Sequence, residues 1–177
     1  MSAPVFLYLV LPLPILFVIH DAEEVIKQYC WVLSHRETLT KRFPRIKHVL
    51  NHLSQLDTKA FAFATFEELI VILLVTSYVL VQGPFATEIW TCIFMAFSIH
   101  LFIHLTQAIL VKGYVPGVIT SIFLLPYAIY GLHSIGLVMS TKEMIACGIA
   151  GIMFMILNLM FAHKFGIQIS RIIDNRF

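Results

Sequence analysis

Five long stretches of the sequence lack Asp, Glu, Lys and Arg, and they limit the fold more than any other feature. They span residues 1–19, 69–87, 89–111, 113–141 and 144–162. Each is about long enough to cross the ~30 Å hydrocarbon core of a bilayer as a helix of ~20 residues. Backbone polar groups in lipid must form hydrogen bonds within their own segment, so each stretch predicts a transmembrane helix. The predicted fold class is therefore all-α: a polytopic membrane helix bundle with five transmembrane helices.

The composition agrees with a single transmembrane domain. Charged residues make up 12 % of the chain, whereas soluble domains contain about 25 %. The predicted domain covers residues 1–177, with helices at about 5–29, 59–82, 87–112, 116–136 and 141–164. The first stretch lacks a basic n-region and a small-residue cleavage site, so we interpret it as a retained helix rather than a signal peptide. Pro12 and Pro14 predict a bend in this helix.

The segment 34–57 is the one long connection, and its pattern predicts an amphipathic helix on the inner membrane surface. Basic residues lie between apolar residues that recur at three- and four-residue spacing, namely Leu39, Phe43, Ile46, Leu50 and Leu53. His48 and His52 are four residues apart, but both fall on the polar face, so we interpret them as solvated rather than as a metal pair. The segment lacks the aromatic platforms on which bases stack, which argues against nucleic acid as a partner.

The distribution of Lys and Arg predicts the orientation of the bundle. If five helices alternate and the N-terminus faces outside, eleven of the 12 Lys and Arg residues lie inside and only Lys142 lies outside. Cytoplasmic loops carry such an excess of basic residues. We therefore expect the N-terminus outside, the segment 34–57 and the C-terminus in the cytoplasm, and the chain in a bacterial cytoplasmic membrane.

Ionisable residues inside predicted membrane helices are costly, and they are therefore candidate functional residues. Four helices carry them: His20, Glu23 and Glu24 in the first, Glu67 and Glu68 in the second, His100 and His104 in the third, and His163 in the fifth. Spacings of three and four residues place the members of the first and third helices on one face of each. The helix rise places most of them roughly 12 Å or less from the inner helix ends. We therefore expect one cluster in the inner leaflet, whereas His133 lies near the outer face as an interfacial residue.

A cluster of carboxylates and imidazoles in a dry bundle predicts a metal site. Buried carboxylates without a counter-charge are costly, and one or two divalent ions, Fe, Zn or Mn, would offset their charge. The candidate metal ligands are His20, Glu23, Glu24, Glu67, Glu68, His100, His104 and His163. Glu23 and Glu24 are also the candidate catalytic residues, and Glu68 has the more inward direction of the adjacent pair. Two alternatives stay open: hydrogen bonds that only hold the helices together, and a pathway for protons or ions.

The motif His20-Asp21-Ala22-Glu23-Glu24 resembles the HXXEE-domain family of bacterial integral membrane proteins, whose function is not settled. The resemblance extends to Phe66-Glu67-Glu68, to the stretch 104–107 and to 113–117, and it implies a shared polar core. His100 and His104 also resemble one histidine box of membrane desaturases and hydroxylases, which need several such boxes. A weaker resemblance is to glutamate-dependent intramembrane proteases of the prenyl-protein type, but the Arg that should follow their Glu-Glu pair is missing here.

Together these features favour an integral membrane metalloenzyme that acts on a lipid-like or other apolar small molecule from the inner leaflet. A carboxylate-rich site slightly favours an oxidative reaction, hydroxylase- or desaturase-like, over hydrolysis. We expect lateral entry from membrane lipid into a pocket lined by Leu16, Phe17, Phe97, Leu101 and Met160. The alternatives are a small proton- or ion-coupled transporter or channel and a non-catalytic membrane accessory subunit. The oligomeric state is not predicted.

Overall fold

The computed structural model describes residues 3–175, and within that range every regular element is helical. The helices are α1 (Ala3–Val10), α2 (Pro12–Arg42), α3 (Lys47–Leu53), α4 (Thr58–Leu80), α5 (Ala86–Val111), α6 (Val118–Gly136) and α7 (Thr141–Asp174). A 3₁₀ turn at Pro44–Ile46 precedes α3. The prediction of an all-α fold is therefore confirmed for the described residues.

Four helices of the described chain, α4 to α7, are long and apolar enough to cross a membrane. Large hydrophobic side chains on all four are more than half exposed, including Leu74, Ile109, Phe123 and Leu157. Water-soluble proteins rarely expose large contiguous apolar surfaces. The four helices therefore indicate a membrane protein, as the sequence predicts.

The N-terminal segment differs from the single helix predicted at 5–29. It is divided at Leu11 into α1 and α2, because Pro12 and Pro14 lack the N–H groups that would continue the hydrogen-bond ladder. The hydroxyl of Tyr127 in α6 donates to the carbonyl of Leu9 beside this break. Neither piece by itself is among the candidate spans found in residues 3–175. Five crossings and the orientation of the termini therefore stay predictions.

α2 and α7 both continue beyond their predicted ends. α2 runs through Arg42 because its last turns contain no Gly or Pro, and it stops only before Pro44. The connection to α4 is therefore shorter than the predicted segment 34–57, and part of it forms the short helix α3. α7 reaches Asp174, which forms an ion pair with Lys59 at the start of α4. The polar ends of α2 and α7 therefore extend these helices beyond the charge-free stretches from which they were predicted.

An apolar cluster contributed by α1, α2, α4, α5 and α6 fills one part of the bundle. Trp90 and Phe94 are fully buried in it, with ring centroids 4.7 Å apart. At the other end of the cluster, the ring of Phe97 meets His20 edge-on, with 6.0 Å between centroids. The buried ionisable residues, which include His20, Asp21, Glu24 and His104, begin at this boundary.

α7 lies against α4 and α5 along its length. It approaches their backbones through small residues, because a Cβ atom at Gly151 would overlap the carbonyl of Cys92 and one at Gly166 would overlap the carbonyl of Ala60. Small residues allow membrane helices to pack closely in this way. α7 therefore closes the bundle on the side of α4 and α5.

Candidate metal centre

Four of the predicted ligands lie together at the boundary of the apolar cluster: His20 and Glu24 of α2, and His100 and His104 of α5. Each offers one ligand atom, and these four atoms lie within 4.8 Å of one another. The four-residue spacing on each helix causes this convergence, since it places both members of a pair on one face. His20, Glu24 and His104 are buried, and His100 is half-buried. These four side chains are called the four-residue centre below.

Two close contacts meet at Nε2 of His104. It lies 2.8 Å from Oε1 of Glu24 and 3.0 Å from Nε2 of His100. One N–H group can donate well to only one of them, so several lone pairs converge at this point. Nε2 of His20 is buried and has no hydrogen-bond partner among the described residues. Because unpaired buried polar atoms are rare and costly, the geometry fits a cation bound between these side chains.

The other nitrogen of His20 is held by a chain of hydrogen bonds that fixes the tautomer of the ring. The hydroxyl of Thr120 donates to Oε2 of Glu23 at 2.7 Å, so its oxygen accepts from Nδ1–H of His20 at 2.9 Å. This assignment leaves the lone pair of His20 on Nε2, the atom for which the described part of the chain offers no partner. Metal-binding histidines commonly have their second nitrogen held in this way.

Glu23 lies outside the four-residue centre, although its spacing predicted a ligand and a catalytic role. Its carboxylate accepts from the backbone N–H of Thr120 at 2.8 Å and from the hydroxyl of Tyr114 at 2.9 Å. These partners lie at or just before the first turn of α6, where the helix dipole favours a negative charge. Burial and the hydrogen bond to Glu23 raise the pKa of Tyr114, which keeps its hydroxyl a donor. Glu23 is therefore suited to orient His20, because it holds the Thr120 hydroxyl to which His20 donates.

Two further acidic side chains lie near Glu24, and only one of them, Glu68, was predicted from the sequence. Glu68 of α4 and Asp21 of α2 are both close enough to Glu24 for their charges to interact. Asp21 is only 6 % exposed. Its three-residue spacing from Glu24 within the motif is the signal that would have found it. Three ionised carboxylates so close together would repel one another, so either some of them carry a proton or a bound cation reduces the repulsion.

Glu67 and His163, which the sequence also predicted as ligands, turn toward other partners. Oε2 of Glu67 accepts from Nδ2 of Asn158 in α7 at 3.2 Å. Nδ1 of His163 lies 3.1 Å from Nε2 of His52 in α3. The structure therefore does not bring these two side chains into the four-residue centre.

The interpretation of His52 as a solvated residue is wrong. α3 docks on α7, so the ring of His52 packs against His163 with 5.2 Å between centroids and is half-buried. The amphipathic pattern of the segment gave no information about which helix its polar face would meet. His48 and His133 are exposed, as their interpretation requires.

The apolar pocket predicted from Leu16, Phe17, Phe97, Leu101 and Met160 does not form among these side chains. Phe17, Phe97 and Leu101 pack into the apolar cluster, and Leu16 packs against it. Met160 lies on the outer surface of α7 and is 55 % exposed. A shared depth in the bilayer does not place two side chains on facing sides of their helices.

A comparison with known protein families finds one match that covers most of the chain. Residues 11–131 match the family described as "Protein of unknown function with HXXEE motif". The matched region contains all four residues of the centre and also Thr120. No match was found among curated proteins or among solved structures. Because the match covers more than half of the chain, this protein belongs to the HXXEE family.

Proposed function

We propose that this chain is a metal-dependent enzyme of a bacterial cytoplasmic membrane that acts on a lipid-like substrate from the inner leaflet. The observation that carries the proposal is the convergence of three imidazoles and one carboxylate within 4.8 Å. Hydrogen bonds alone account poorly for this arrangement, since one nitrogen of His20 is held and the other has no partner within residues 3–175. A divalent ion would take that partner's place.

The donor set favours iron or manganese over zinc. Zinc usually has four ligands in structural sites, so the four-residue centre would fill its coordination. Iron and manganese accept imidazole and carboxylate donors and take further ligands, which leaves positions for substrate or dioxygen. A single ion would therefore be enough to engage all four side chains of the centre. The two-ion site considered from the sequence would need Glu68 or Asp21 as additional ligands.

Oxidation of an alkyl chain is the reaction that we favour. Insertion of one oxygen atom from dioxygen into a C–H bond requires two electrons and two protons from a reductant, and the second oxygen atom leaves as water. The carboxyl groups of buried Asp21 and half-buried Glu68 interact electrostatically with Glu24, and they would supply such protons at the centre. Hydrolysis at zinc, with Glu24 as the base, is the alternative reaction.

The surroundings of the four-residue centre support a lipid-like substrate. α5, which carries two of its members, is one of the apolar helices, and Phe97 borders His20. An apolar chain can move from lipid into such surroundings without losing hydrogen bonds to water, whereas a charged soluble molecule cannot. His100 is the half-buried member of the centre, so we place the approach of the substrate on its side.

A proton pathway is the second candidate function, and one observation favours it. Glu24 interacts electrostatically with Glu68 and with His163, and His163 contacts His52 of α3. This series of titratable groups runs from the interior of the bundle to the connection between α2 and α4. Proton relays in membrane transporters are built from such series, and they need no metal.

Metal analysis of the purified protein tests the proposed centre. We expect the wild type to carry close to one equivalent of iron or manganese and the double variant His20→Ala/Glu24→Gln to carry none. His133→Ala removes an exposed histidine outside the centre and should keep the metal. A wild type that takes up no metal, even after loading, would contradict the proposal and favour the proton pathway instead. Proton flux in proteoliposomes would then test that second candidate function.

Lipid mass spectrometry tests the reaction. Metal-loaded protein, bacterial lipids, dioxygen and a reductant should yield lipids with one added oxygen atom or two fewer hydrogen atoms. Release of fatty acids or headgroups would instead indicate hydrolysis. If the loaded protein changes no lipid in either way, the enzymatic part of the proposal is wrong and the metal has another role.

A further inference from the structure

A second candidate site lies beside the later half of α2, where α5 ends. It is a pocket of about 300 Å³, a volume sufficient for a small ligand or for the headgroup of a larger one. Its walls are formed by α2 and by residues 111–114, and they consist of Trp31, His35, Thr38, Leu39, Arg42, Val111, Lys112, Gly113 and Tyr114. None of these residues belongs to the four-residue centre.

Hydrogen bonds hold the two walls of the pocket together. Nε1 of Trp31 donates to the carbonyl of Tyr114 at 2.9 Å, and the guanidinium of Arg42 donates to the carbonyl of Val111 at 3.1 Å. The ring of Trp31 also stacks on His35, with 4.6 Å between centroids. The pocket is therefore formed by the protein's own contacts, and a ligand would bind without first ordering the walls.

The pocket is basic and contains aromatic side chains. Arg42 has five N–H groups, of which Val111 accepts one, and the ammonium group of Lys112 has three more. No residue among the nine that line the pocket is acidic. Arg and Lys donors of this kind bind phosphate oxygens through charge-assisted hydrogen bonds. Trp31 and Tyr114 supply apolar surface beside these cations.

We propose that this pocket binds the phosphate group of an anionic amphiphile. Lys112 directly follows the apolar helix α5, so the pocket lies where the apolar span ends and the lipid headgroups begin. Trp and Tyr side chains are common at this depth of the membrane. The inference rests on the proposed function and narrows its substrate to a phosphate-bearing lipid. Tyr114 connects the two sites, because its hydroxyl donates to Glu23 and Glu23 positions His20 through Thr120.

Calorimetric titration of the full chain in micelles of an uncharged detergent tests the pocket. Short-chain phosphatidylglycerol is the probe, and diacylglycerol with the same acyl chains lacks only the phosphoglycerol headgroup. We expect phosphatidylglycerol to bind at least about tenfold more tightly, and the variant Arg42→Gln/Lys112→Gln to bind it about a hundredfold more weakly than the wild type. The control Arg45→Gln/Lys47→Gln removes the same charge from a neighbouring segment that does not line the pocket and should leave the affinity nearly unchanged.

Equal affinities for the two lipids, or equal losses in the pocket and control variants, would overturn the inference. Inorganic phosphate distinguishes the possible sources of the phosphate group. Weak competition by inorganic phosphate supports a lipid headgroup, whereas competition as strong as that of phosphatidylglycerol overturns the assignment to an amphiphile in favour of a soluble phosphate ester.

Metal content measured on the same samples separates this inference from the proposed function. Arg42→Gln/Lys112→Gln should retain the metal content of the wild type, because neither side chain belongs to the four-residue centre. If this variant loses its lipid selectivity but keeps its full metal content, the substitutions have affected the pocket and not the four-residue centre. A protein that selects phosphatidylglycerol but carries no metal would instead contradict the metal centre and leave the pocket standing.

Discussion

The backbone of Gly117 lies directly against the imidazole of His104. A Cβ atom at position 117 would be 2.7 Å from Cε1 and 2.9 Å from Nδ1 of that ring, and 3.0 Å from Oε1 of Glu24. Gly117 also has a φ of 85°, a conformation that residues with a side chain rarely adopt. The turn before α6 therefore needs glycine both for its own backbone and for the space beside the four-residue centre.

Replacing Gly117 by Ala should lower the metal content and destabilise the protein by about 1 kcal/mol or more. The added Cβ would displace His104 and Glu24 from their contact. Elemental analysis and thermal unfolding in detergent measure the two effects. Gly113→Ala is the matched control, because a Cβ there would meet no neighbouring atom of the described residues within 4 Å, and it should change neither quantity. Full metal occupancy in Gly117→Ala would show that the centre does not depend on this close approach.

Thr120→Val should weaken metal binding by about ten- to a hundredfold. The substitution keeps the shape of the side chain but removes the hydroxyl that accepts from His20 and donates to Glu23. Competition with a chelator of known affinity measures the change. Thr120→Ser retains the hydroxyl and should recover most of the lost affinity, whereas similar losses in both variants would point to packing rather than to the orientation of His20.

His52→Ala should loosen α3 from α7 and leave the metal content unchanged. The substitution removes the contact to His163, which is one link between α3 and the rest of the bundle. Limited proteolysis should then cut the region between α2 and α4 faster than in the wild type. His48→Ala changes an exposed residue of the same helix and should not alter the cleavage rate. If His52→Ala loses metal, the ligand set extends to α3.

The pairing of ligands within one helix can be predicted from the sequence, because it follows from the local geometry of an α-helix. His20, Glu23 and Glu24 were predicted to share one face of their helix, as were His100 and His104. The structure brings together His20 with Glu24 and His100 with His104, but it leaves Glu23 outside the centre. Which faces meet is decided by the packing of the whole bundle, and periodicity carries no information about it. His163 has the residue type of a ligand, yet the rotation of α7 turns it toward α3.

The transmembrane parts of the helices were predicted from the sequence because they lack charged residues, whereas the bounds of the polar helix ends were not. Absence of charge revealed α4 to α6 and most of α7, since a lipid environment requires apolar surfaces. The polar end of α2 up to Arg42 was predicted as part of a separate amphipathic helix rather than as a continuation of α2, and the end of α7 at Asp174 was not predicted. Their helical state follows from the absence of breaking residues and from contacts such as the ion pair to Lys59.

Gly166→Ala should destabilise the bundle by about 1–3 kcal/mol. The added Cβ would overlap the backbone carbonyl of Ala60 in α4, so α7 must move away from a rigid neighbour. Thermal unfolding in detergent measures this effect. Gly136→Ala is the control, because its Cβ would only touch the flexible Met144 at 3.8 Å. Equal melting temperatures for both variants would mean that α7 adjusts its position without cost.

The N-terminal segment is expected to form a fifth crossing. Its exposed side is apolar up to the polar motif, with Ile15, Val18 and Ile19 between 46 % and 64 % exposed. Its other side packs into the apolar cluster through Leu13 and Phe17. A helix that is apolar on all sides is stable in lipid or in a protein interior but not at a surface in water. The first turns of α2 therefore favour the membrane although the break at Leu11 interrupts the helix.

Reporters on the two termini decide this question, because five crossings place the termini on opposite sides of the membrane and four place them on the same side. We expect a C-terminal reporter to be cytoplasmic, in agreement with the excess of Lys and Arg in the connections on that side. A short N-terminal tag should be accessible from outside the cell. A tag protected from outside, combined with a cytoplasmic C-terminus, would reduce the bundle to the four spans α4 to α7 and exclude the predicted orientation of α2. An external C-terminus would instead reverse the whole orientation and move the four-residue centre to the outer leaflet.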